Sequence, residues 1–151
     1  ETEINALLKR ELGVHTVIAL EQGQLVGDDT DGHIDMLARF VNPTTLVYTS
    51  CKDPNDPDYA ALKAMADELA LYFPNHTRIA LPKAAAQPGS YCNFVRVNQG
   101  LIVPSYQDPM DWVVQAILKR AMPELEIVAI DARRWITQGG SLHCACMNVY
   151  A

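Results

Sequence analysis

Two stretches decide the fold: Leu46–Pro54, LVYTSCKDP, and Leu101–Pro109, LIVPSYQDP. They align at a constant offset of 55 residues, with Leu, Ser, Asp and Pro at matching places and an apolar run leading each. Upstream, Gly32 pairs with Gly89 at an offset of 57 residues. Self-similarity at a fixed spacing indicates a repeat architecture. One unit therefore begins near Gly32 and the next near Gly89.

Each unit predicts the same order of elements, which is a strand opened by glycine, a turn, a second strand, Asp-Pro, a helix, a proline and a third strand. Apolar residues at helical spacing predict helices over 58–73 and 110–122. The short apolar runs that follow predict closing strands over 77–81 and 126–131. A ββαβ unit is therefore predicted twice, and the fold class is α/β.

Partial units are predicted at both ends of the chain. Near the start, a helical apolar stripe is followed by HTVIAL (residues 15–20), which reads as a strand. Near the end, GGSLHC repeats the start signal at Gly140. The predicted boundaries are 1–31 for the end of one module, 32–88 and 89–139 for two modules, and 140–151 for the first strand of a last one. A repeat that opens and closes in mid-unit predicts a slice of a ring.

Composition limits the classes of function. The formal net charge is -6 and the pI is about 5.1, without a basic stripe, which argues against nucleic acid and fits a small cationic ligand. No apolar run approaches the ~20 residues of a membrane span, and no signal peptide is visible, so a soluble cytoplasmic protein is expected. The chain begins at Glu1 without methionine, so an N-terminal segment is expected to have been removed or left out.

The residues that follow each starting glycine are the candidates for chemistry. If equivalent strands surround a common axis, His33 and Asp35 face the same cavity as Cys144, together with Ser90 and Cys92. A thiolate attacks electrophiles and a histidine nearby moves protons, so the set predicts a nucleophilic site. Strand alternation places Asp35 on the side of His33, where it orients the imidazole or binds a cation.

Other interpretations of these residues stay open. His33 also fits a structural histidine, Cys144 a small buried hydrophobe, and the aspartates around residue 31 a solvated turn. Strand alternation predicts that His143 faces away from Cys144 and serves packing or support. A zinc site is a rival, although one carboxylate with two thiolates is an uncommon ligand set. Its ligands would be His33, Asp35, Cys144 and Cys146.

The cysteines have no zinc-type CxxC pair, and a disulfide framework is not expected at this size without a secretion signal. All four cysteines are therefore predicted to be free thiols, with Cys51 and Cys92 structural.

Two motifs in order bear a family resemblance. GDDTDGHIDMLARFV (residues 27–41) and GGSLHCACMN (residues 139–148) resemble the agmatine deiminase and bacterial, Porphyromonas-type peptidyl-arginine deiminase family of the guanidine-modifying superfamily. The stretch SYCNFVRVNQGLIVPSYQDPMD (residues 90–111) resembles that family's next-to-last module. The resemblance covers essentially the whole chain. It implies a pentein α/β propeller of five modules, of which this chain would form about half.

The resemblance also implies a reaction, the hydrolysis of a guanidinium to a ureido group with loss of ammonia. Agmatine is the favoured substrate, and arginine or peptidyl-arginine comes next. By position, Cys144 would attack the guanidinium carbon, His33 would act as general acid and then as base, and Asp35 would pair with the guanidinium nitrogens. Asp31 and Gly140 are further candidates for substrate binding. No metal and no organic cofactor is implied.

One expected motif is missing from the sequence. The family's other guanidinium-binding carboxylate belongs to an arginine-aspartate motif in the half that would precede Glu1, and neither Arg10-Glu11 nor the stretch 131–134 supplies it. The chain is therefore expected to be a C-terminal half, either a fragment of a longer parent or a short protein that completes its ring as a homo-oligomer or with a missing N-terminal half. Two alternatives remain, a catalytically incomplete binding or assembly module and an acyl-transferring Cys-His hydrolase.

Overall fold

The computed structural model describes residues 2–28, 32–147 and 149. Within them lie two three-stranded sheets, ordered β1-β2-β3 and β4-β5-β6, in which the first pair of strands is antiparallel and the second pair is parallel. A helix connects the two parallel strands of each sheet. In chain order the elements are α1 (Glu3–Leu12), α2 (Ile34–Leu37), β1 (Ala38–Asn42), β2 (Thr45–Ser50), α3 (Tyr59–Tyr72), β3 (Thr77–Pro82), β4 (Val95–Val97), β5 (Gly100–Ser105), α4 (Met110–Ala121), β6 (Glu126–Asp131) and α5 (Arg133–Ile136).

The predicted repeat is visible in the strands. The central strands β2 and β5 are offset by 55 residues at both ends, and each pairs with its parallel neighbour through six residues in the same register. Helices α3 and α4 lie within one residue of the predicted ranges at each end, and β6 matches its predicted range. The α/β assignment with two ββαβ units is therefore observed, and the first predicted helix is also present, as α1.

Four predicted strand segments are not strands. Residues 34–37, which follow the glycine of the first unit, form the short helix α2, so β1 begins only at Ala38. Ser90 and Cys92 lie in a loop before β4, residues 15–20 have no strand pairing, and residues 142–145 form a turn. Glycine followed by alternating polar and apolar residues also fits a loop whose apolar side chains enter the core. The alternation of polar and apolar residues is the same in a strand and in such a loop, so it could not distinguish them.

The core lies between the sheets and their helices. Helix α3 buries Leu62, Met65 and Leu69, as its apolar spacing predicts, whereas Tyr72 at its end is exposed. Helix α4 contacts both β3 of the first sheet and β6 of the second, so it joins the two units. This packing places the loops before β1 and β4 and the turn after α5 next to one another.

The segment between α1 and α2 is held by carboxylates of the first unit. Glu68 accepts hydrogen bonds from the backbone amides of Glu21 and Gln22, and Asp58 accepts one from the amide of Val26 at 2.7 Å. Asp58 is itself buried and pairs with Lys83. These contacts fix the approach of the chain to Gly32. In the described part of the chain, no helix is both long enough and apolar enough to cross a membrane.

Candidate active site

The candidate site forms where three connecting segments meet. Asp35 lies in the first turn of α2, Asn93 lies in the loop before β4, and Cys144 lies in the turn that follows α5. Asp35 and Cys144 are 109 residues from one another in the chain, yet Cys144 Sγ is 3.5 Å from Asp35 Oδ2. The structure thus brings together the carboxylate and the thiol that the sequence predicts to meet.

Asn93 is the centre of this cluster. Its Nδ2 donates to Asp35 Oδ2 and to Cys144 Sγ, both at 3.1 Å. Its Oδ1 accepts hydrogen bonds from the backbone amides of His143 at 2.8 Å and Cys144 at 3.3 Å. Asn93 is fully buried. We name the turn over residues 142–145 the nucleophile turn. The single amide side chain of Asn93 therefore fixes the backbone of this turn, the thiol of Cys144 and the carboxylate of Asp35.

Sequence reasoning did not assign a role to Asn93. The available signal was a polar residue inside the apolar run YCNFV (residues 91–95), where an amide can be buried only if its donors and acceptor find partners. The identity of those partners depends on the meeting of three loops. The sequence of residues 91–95 alone does not identify these hydrogen-bond partners.

Asp35 is held in its charged form. Burial raises its pKa, but hydrogen bonds from His143 and Cys144 and the positive charges of His143 and Arg39 together leave the pKa below the usual value of an aspartate. His143 Nδ1 lies 2.6 Å from Asp35 Oδ2. All of the cluster's contacts use Oδ2, so Oδ1 has no donor among the residues that the structure describes. A carboxylate with one oxygen anchored and one open is suited to a cationic ligand.

The prediction for His143 is wrong in its geometry. Strand alternation placed its side chain away from Cys144, but residues 142–145 form a turn, in which adjacent side chains need not lie on opposite sides. Backbone hydrogen bonds from Ala145 to Ser141 and from Cys146 to His143 close this turn. The imidazole consequently meets Asp35 directly.

His33 occupies a different position. It precedes α2, where its carbonyl accepts a hydrogen bond from the amide of Met36, and its side chain is exposed. Among the described residues, its ring makes no hydrogen bond and no ion pair, so the acid–base role of His33 stays a prediction. Asp31, the other carboxylate predicted to bind substrate, lies outside the described residues.

Gly140 lines the nucleophile turn. A Cβ atom at this position would lie 3.0 Å from Cys144 Cβ and 3.4 Å from Sγ, so a side chain would press on the nucleophile. A cavity of about 300 Å³ opens beside the thiol, and the exposed Cys144 forms part of its wall. Contact between Gly140 and a substrate stays a prediction. The cavity is lined by Trp135, Gln138, Gly140, Ser141, Cys144 and Ala145.

A buried polar network supports the three segments. Ser90 Oγ donates to the carbonyl of Met36, the residue after Asp35, at 2.5 Å. Tyr106 donates to the Ser90 carbonyl at 3.0 Å, and its hydroxyl lies 3.1 Å from Ser141 Oγ, three residues before the nucleophile. Burial raises the pKa of Tyr106 to about 12, so its hydroxyl remains a donor. The network ties the backbones on either side of the site to the second sheet.

The four cysteines are free thiols, as predicted. Cys92 is fully buried, donates to the Leu37 carbonyl at 3.5 Å and has its pKa raised to about 11 by burial, in keeping with a structural role. The rival zinc site is not assembled, because no group of three or more His, Cys, Asp or Glu side chains has a metal-binding arrangement within residues 2–28, 32–147 and 149.

Comparison with known proteins shows which family the chain matches. The family model for the Porphyromonas-type peptidyl-arginine deiminase matches residues 1–149. Agmatine deiminases from Pseudomonas putida and Pseudomonas fluorescens are 33% and 34% identical to the chain, over 94% of its length and 46% of theirs. The chain thus spans about half the length of these relatives.

Solved structures give the same result. The structure of C. jejuni agmatine deiminase with substrate bound superimposes with a TM-score of 0.90 at 37% identity, and the match covers 97% of this chain and 45% of that one. An agmatine deiminase from Enterococcus faecalis, at 23% identity and a TM-score of 0.84, shares the fold. The α/β architecture and the match along nearly the whole chain agree. The chain belongs to the Porphyromonas-type peptidyl-arginine deiminase family.

Proposed function

We propose that this chain provides the nucleophile half of a guanidine hydrolase, with agmatine as the favoured substrate and arginine or peptidyl-arginine as the next. The observation that supports the proposal is the cluster of Cys144, Asp35, Asn93 and His143 beside an open cavity. The relatives from Pseudomonas putida and Pseudomonas fluorescens are named agmatine deiminases, which supports agmatine as the favoured substrate.

In the proposed first step, Cys144 gives its thiol proton to His33 and its sulfur adds to the guanidinium carbon. The tetrahedral adduct then loses ammonia, which takes a proton from His33, and a covalent thiouronium remains. In the second step His33 takes a proton from water, the hydroxide adds to the same carbon, and the carbon–sulfur bond breaks. The products are a ureido compound and the regenerated thiol. Neither step requires a metal or an organic cofactor.

The substrate also has a place in the proposed arrangement of the nucleophile. The Cys144 thiol donates to Asp35 Oδ2 at 3.5 Å, and the Asn93 amide donates to the Cys144 sulfur at 3.1 Å. We propose that a guanidinium binds at the open oxygen of Asp35, which would bring its carbon close to the sulfur of Cys144.

His143 has a separate place in the proposal. Its Nδ1 is engaged by Asp35, so it orients the carboxylate, whereas the ring of His33 is exposed and available for proton transfer. Replacing each histidine by glutamine distinguishes the roles. His33→Gln should lower the maximal rate at saturating substrate, while His143→Gln should chiefly raise KM, because it disturbs the carboxylate that binds the guanidinium. The opposite pattern would exchange the two assignments.

The wider architecture is part of the proposal. The chain would form about half of a five-module pentein propeller, with module boundaries near residues 31, 88 and 139, and would work in the cytoplasm. The second guanidinium-binding carboxylate would come from a missing N-terminal half or from another copy. A specific observation also favours the alternative function, a binding or assembly module, because the apolar residues Val128 and Ile130 of β6 are exposed.

The deciding experiment measures ureido product and ammonia from agmatine, arginine and a short arginine peptide, at high protein concentration. Cys144→Ala is the control for the nucleophile, and Cys146→Ala is its matched control, since both thiols are exposed and lie two residues apart. Equal release of ureido product and ammonia that needs Cys144 but not Cys146 is the expected result. Undiminished turnover by Cys144→Ala would overturn the nucleophile assignment, and no turnover by any chain would favour the assembly module.

A further inference from the structure

Arg39 connects the first unit to the loop that contains Asn93. It belongs to β1, and its guanidinium Nη1 donates to the carbonyls of Phe94 at 3.1 Å and Cys92 at 3.4 Å. These two residues flank Asn93 in the chain, and both are buried. A buried carbonyl outside the sheets needs a donor from elsewhere in the molecule. A single nitrogen of Arg39 supplies that donor on each side of Asn93.

The loop around Asn93 is therefore held by two sets of contacts. The Asn93 side chain contacts the candidate site, and the adjacent carbonyls contact Arg39. Because Asn93 Nδ2 donates to both Asp35 Oδ2 and Cys144 Sγ, a shift of this loop would change both hydrogen bonds at once. The contacts of Arg39 thus bear on the thiol and the carboxylate, although Arg39 has no hydrogen bond to either among the described residues.

The guanidinium of Arg39 is also held over an aromatic ring. Its Cζ lies 4.9 Å from the centroid of the Phe94 ring, which is within the range of a cation–π contact. Arg39 is half-buried, and burial lowers its pKa, while the negative charge of Asp35 opposes that change. A guanidinium keeps its charge in such surroundings, and its planar shape lets it stack on a ring and donate hydrogen bonds at the same time.

We propose that Arg39 is a positioning residue of the candidate site, which holds Asn93 where the Cys144 thiol and the Asp35 carboxylate need it. Its charge has a second effect. Burial raises the pKa of Asp35, whereas the hydrogen bonds from His143 and Cys144 and the charges of His143 and Arg39 lower it. The consequence for cation binding rests on the proposed function, but the effect on Asn93 does not.

Arg96 provides a matched control, because it has the same place in the second unit. Its offset from Arg39 is 57 residues, which is also the offset between the starting glycines of the two units. Arg96 belongs to β4, donates to the Val41 carbonyl at 3.3 Å and lies 3.8 Å from a carboxylate oxygen of Glu124. Its side chain is 49% exposed. Among the residues that the structure describes, it has no hydrogen bond to the candidate site.

The first test measures amide hydrogen exchange by NMR in Arg39→Met, which keeps an unbranched side chain and removes the charge and the donors. The amides of His143 and Cys144 donate to Asn93 Oδ1, so their exchange reports whether Asn93 is held. Their exchange should become about tenfold faster in Arg39→Met, while the amides of α4 keep their rates. Arg96→Met should leave the exchange of both amides unchanged.

The second test measures the rates at which chloroacetamidine and chloroacetamide alkylate Cys144. Chloroacetamidine is positively charged and chloroacetamide is neutral, so the ratio of the two rates reports how well Asp35 holds a cation beside the thiol. Arg39→Met should lower this ratio about threefold to tenfold, because the thiol and the carboxylate lose the support of their common donor. Arg39→Lys keeps a charge and a donor nitrogen, so it should recover part of the ratio, and no recovery would count against the proposal.

Unchanged exchange at His143 and Cys144 in Arg39→Met would overturn the proposal, as would an equal effect of Arg96→Met. Faster exchange throughout the chain would also overturn it, because Arg39 would then stabilise the fold in general. If circular dichroism shows that Arg39→Met does not fold, Arg39→Gln takes its place, since it removes the charge and keeps an amide donor.

The two measurements distinguish a failure of this proposal from a failure of the proposed function. Faster exchange at the nucleophile turn with an unchanged ratio of alkylation rates would support the positioning of Asn93 by Arg39. The same result would count against cation binding at Asp35, on which the proposed hydrolysis depends.

Discussion

Cys92 and Cys144 lie in neighbouring segments and have the same side chain, but their surroundings differ. Cys92 is fully buried, with its sulfur between Thr49 and the carbonyl of Leu37, and burial raises its pKa to about 11. Cys144 is exposed beside a cavity of about 300 Å³ and receives a hydrogen bond from Asn93. Both sulfurs accept a hydrogen bond, so solvent access, and neither residue type nor a donor, separates the structural thiol from the candidate nucleophile.

The largest expected effect is on alkylation of the two thiols. At neutral pH a thiol with a pKa of about 11 is ionised in only about one molecule in 10⁴, and Cys92 is also inaccessible. Iodoacetamide should therefore modify Cys144 and leave Cys92 unmodified in the folded chain. Peptide mass spectrometry over time measures both. The difference in alkylation should disappear in denaturant. Rapid alkylation of Cys92 in the native chain would contradict its assignment as a buried structural thiol.

The next effect concerns the cation that the site is expected to accept. Chloroacetamidine is positively charged and resembles a guanidinium, whereas chloroacetamide is neutral, so Asp35 should favour the first reagent at Cys144. Asp35→Asn should reduce that preference about 10-fold to 100-fold, because it removes the charge that holds the cation. The ratio of the two alkylation rates is the measurement.

Cys146 serves as the control in this experiment, since it is exposed and has no contact with Asp35 among the described residues. Its ratio of rates should not change in Asp35→Asn. If the ratio at Cys144 also stays constant while the melting temperature falls, Asp35 is structural and does not bind a cation.

Replacement of Asn93 should sharpen the comparison, because Asn93 contacts Cys144 and Asp35 directly. Asn93→Ala leaves two backbone amides of the nucleophile turn without their acceptor, which costs about 1–3 kcal/mol of unfolding free energy. The alkylation rate of Cys144 by chloroacetamidine should fall, since both the sulfur and Asp35 lose a donor. Asn93→Asp restores an acceptor for the amides but no donor, so it should recover stability more than reactivity. Equal recovery of both would argue against a role in positioning the thiol.

Cys92→Ala should affect stability and not chemistry. It removes a buried sulfur and its hydrogen bonds, which is expected to cost about 1–2 kcal/mol of unfolding free energy. Denaturant unfolding measures the loss, and Cys144 alkylation in the same variant should keep the wild-type rate. A large change in that rate would show that Cys92 also positions the site.

The smallest expected effect is on the pH dependence of stability. Because the folded pKa of Asp35 lies below its unfolded value, its contribution to stability is present above the unfolded pKa of about 3.9 and is lost as the pH falls through the folded pKa. The wild type should therefore lose stability relative to Asp35→Asn only in that acidic range. Thermal melts of both proteins across the acidic range measure it. A constant difference at all pH values would mean that the folded and unfolded pKa values are equal.

The regular elements and the loops differ in how well the sequence predicts them. The 55-residue repeat predicted the central strands, both long helices and the closing strands, because their apolar spacing is a local property that the fold preserves. Residues 34–37, 90–92 and 142–145 were misassigned as strands. The first two segments precede β1 and β4, and the third follows α5. Their conformation depends on hydrogen bonds to other loops, such as that from Ser90 to the Met36 carbonyl.

The sequence by itself determined the α/β class, the repeat and the expectation that Asp35 meets Cys144, since the repeat places equivalent segments at equivalent positions. Only the tertiary structure decided that Asn93 joins them and that His143 holds the carboxylate. It also decided which of two cysteines is accessible. These facts depend on the partners and the burial that a side chain acquires when distant loops pack together, and spacing along the chain contains no record of either.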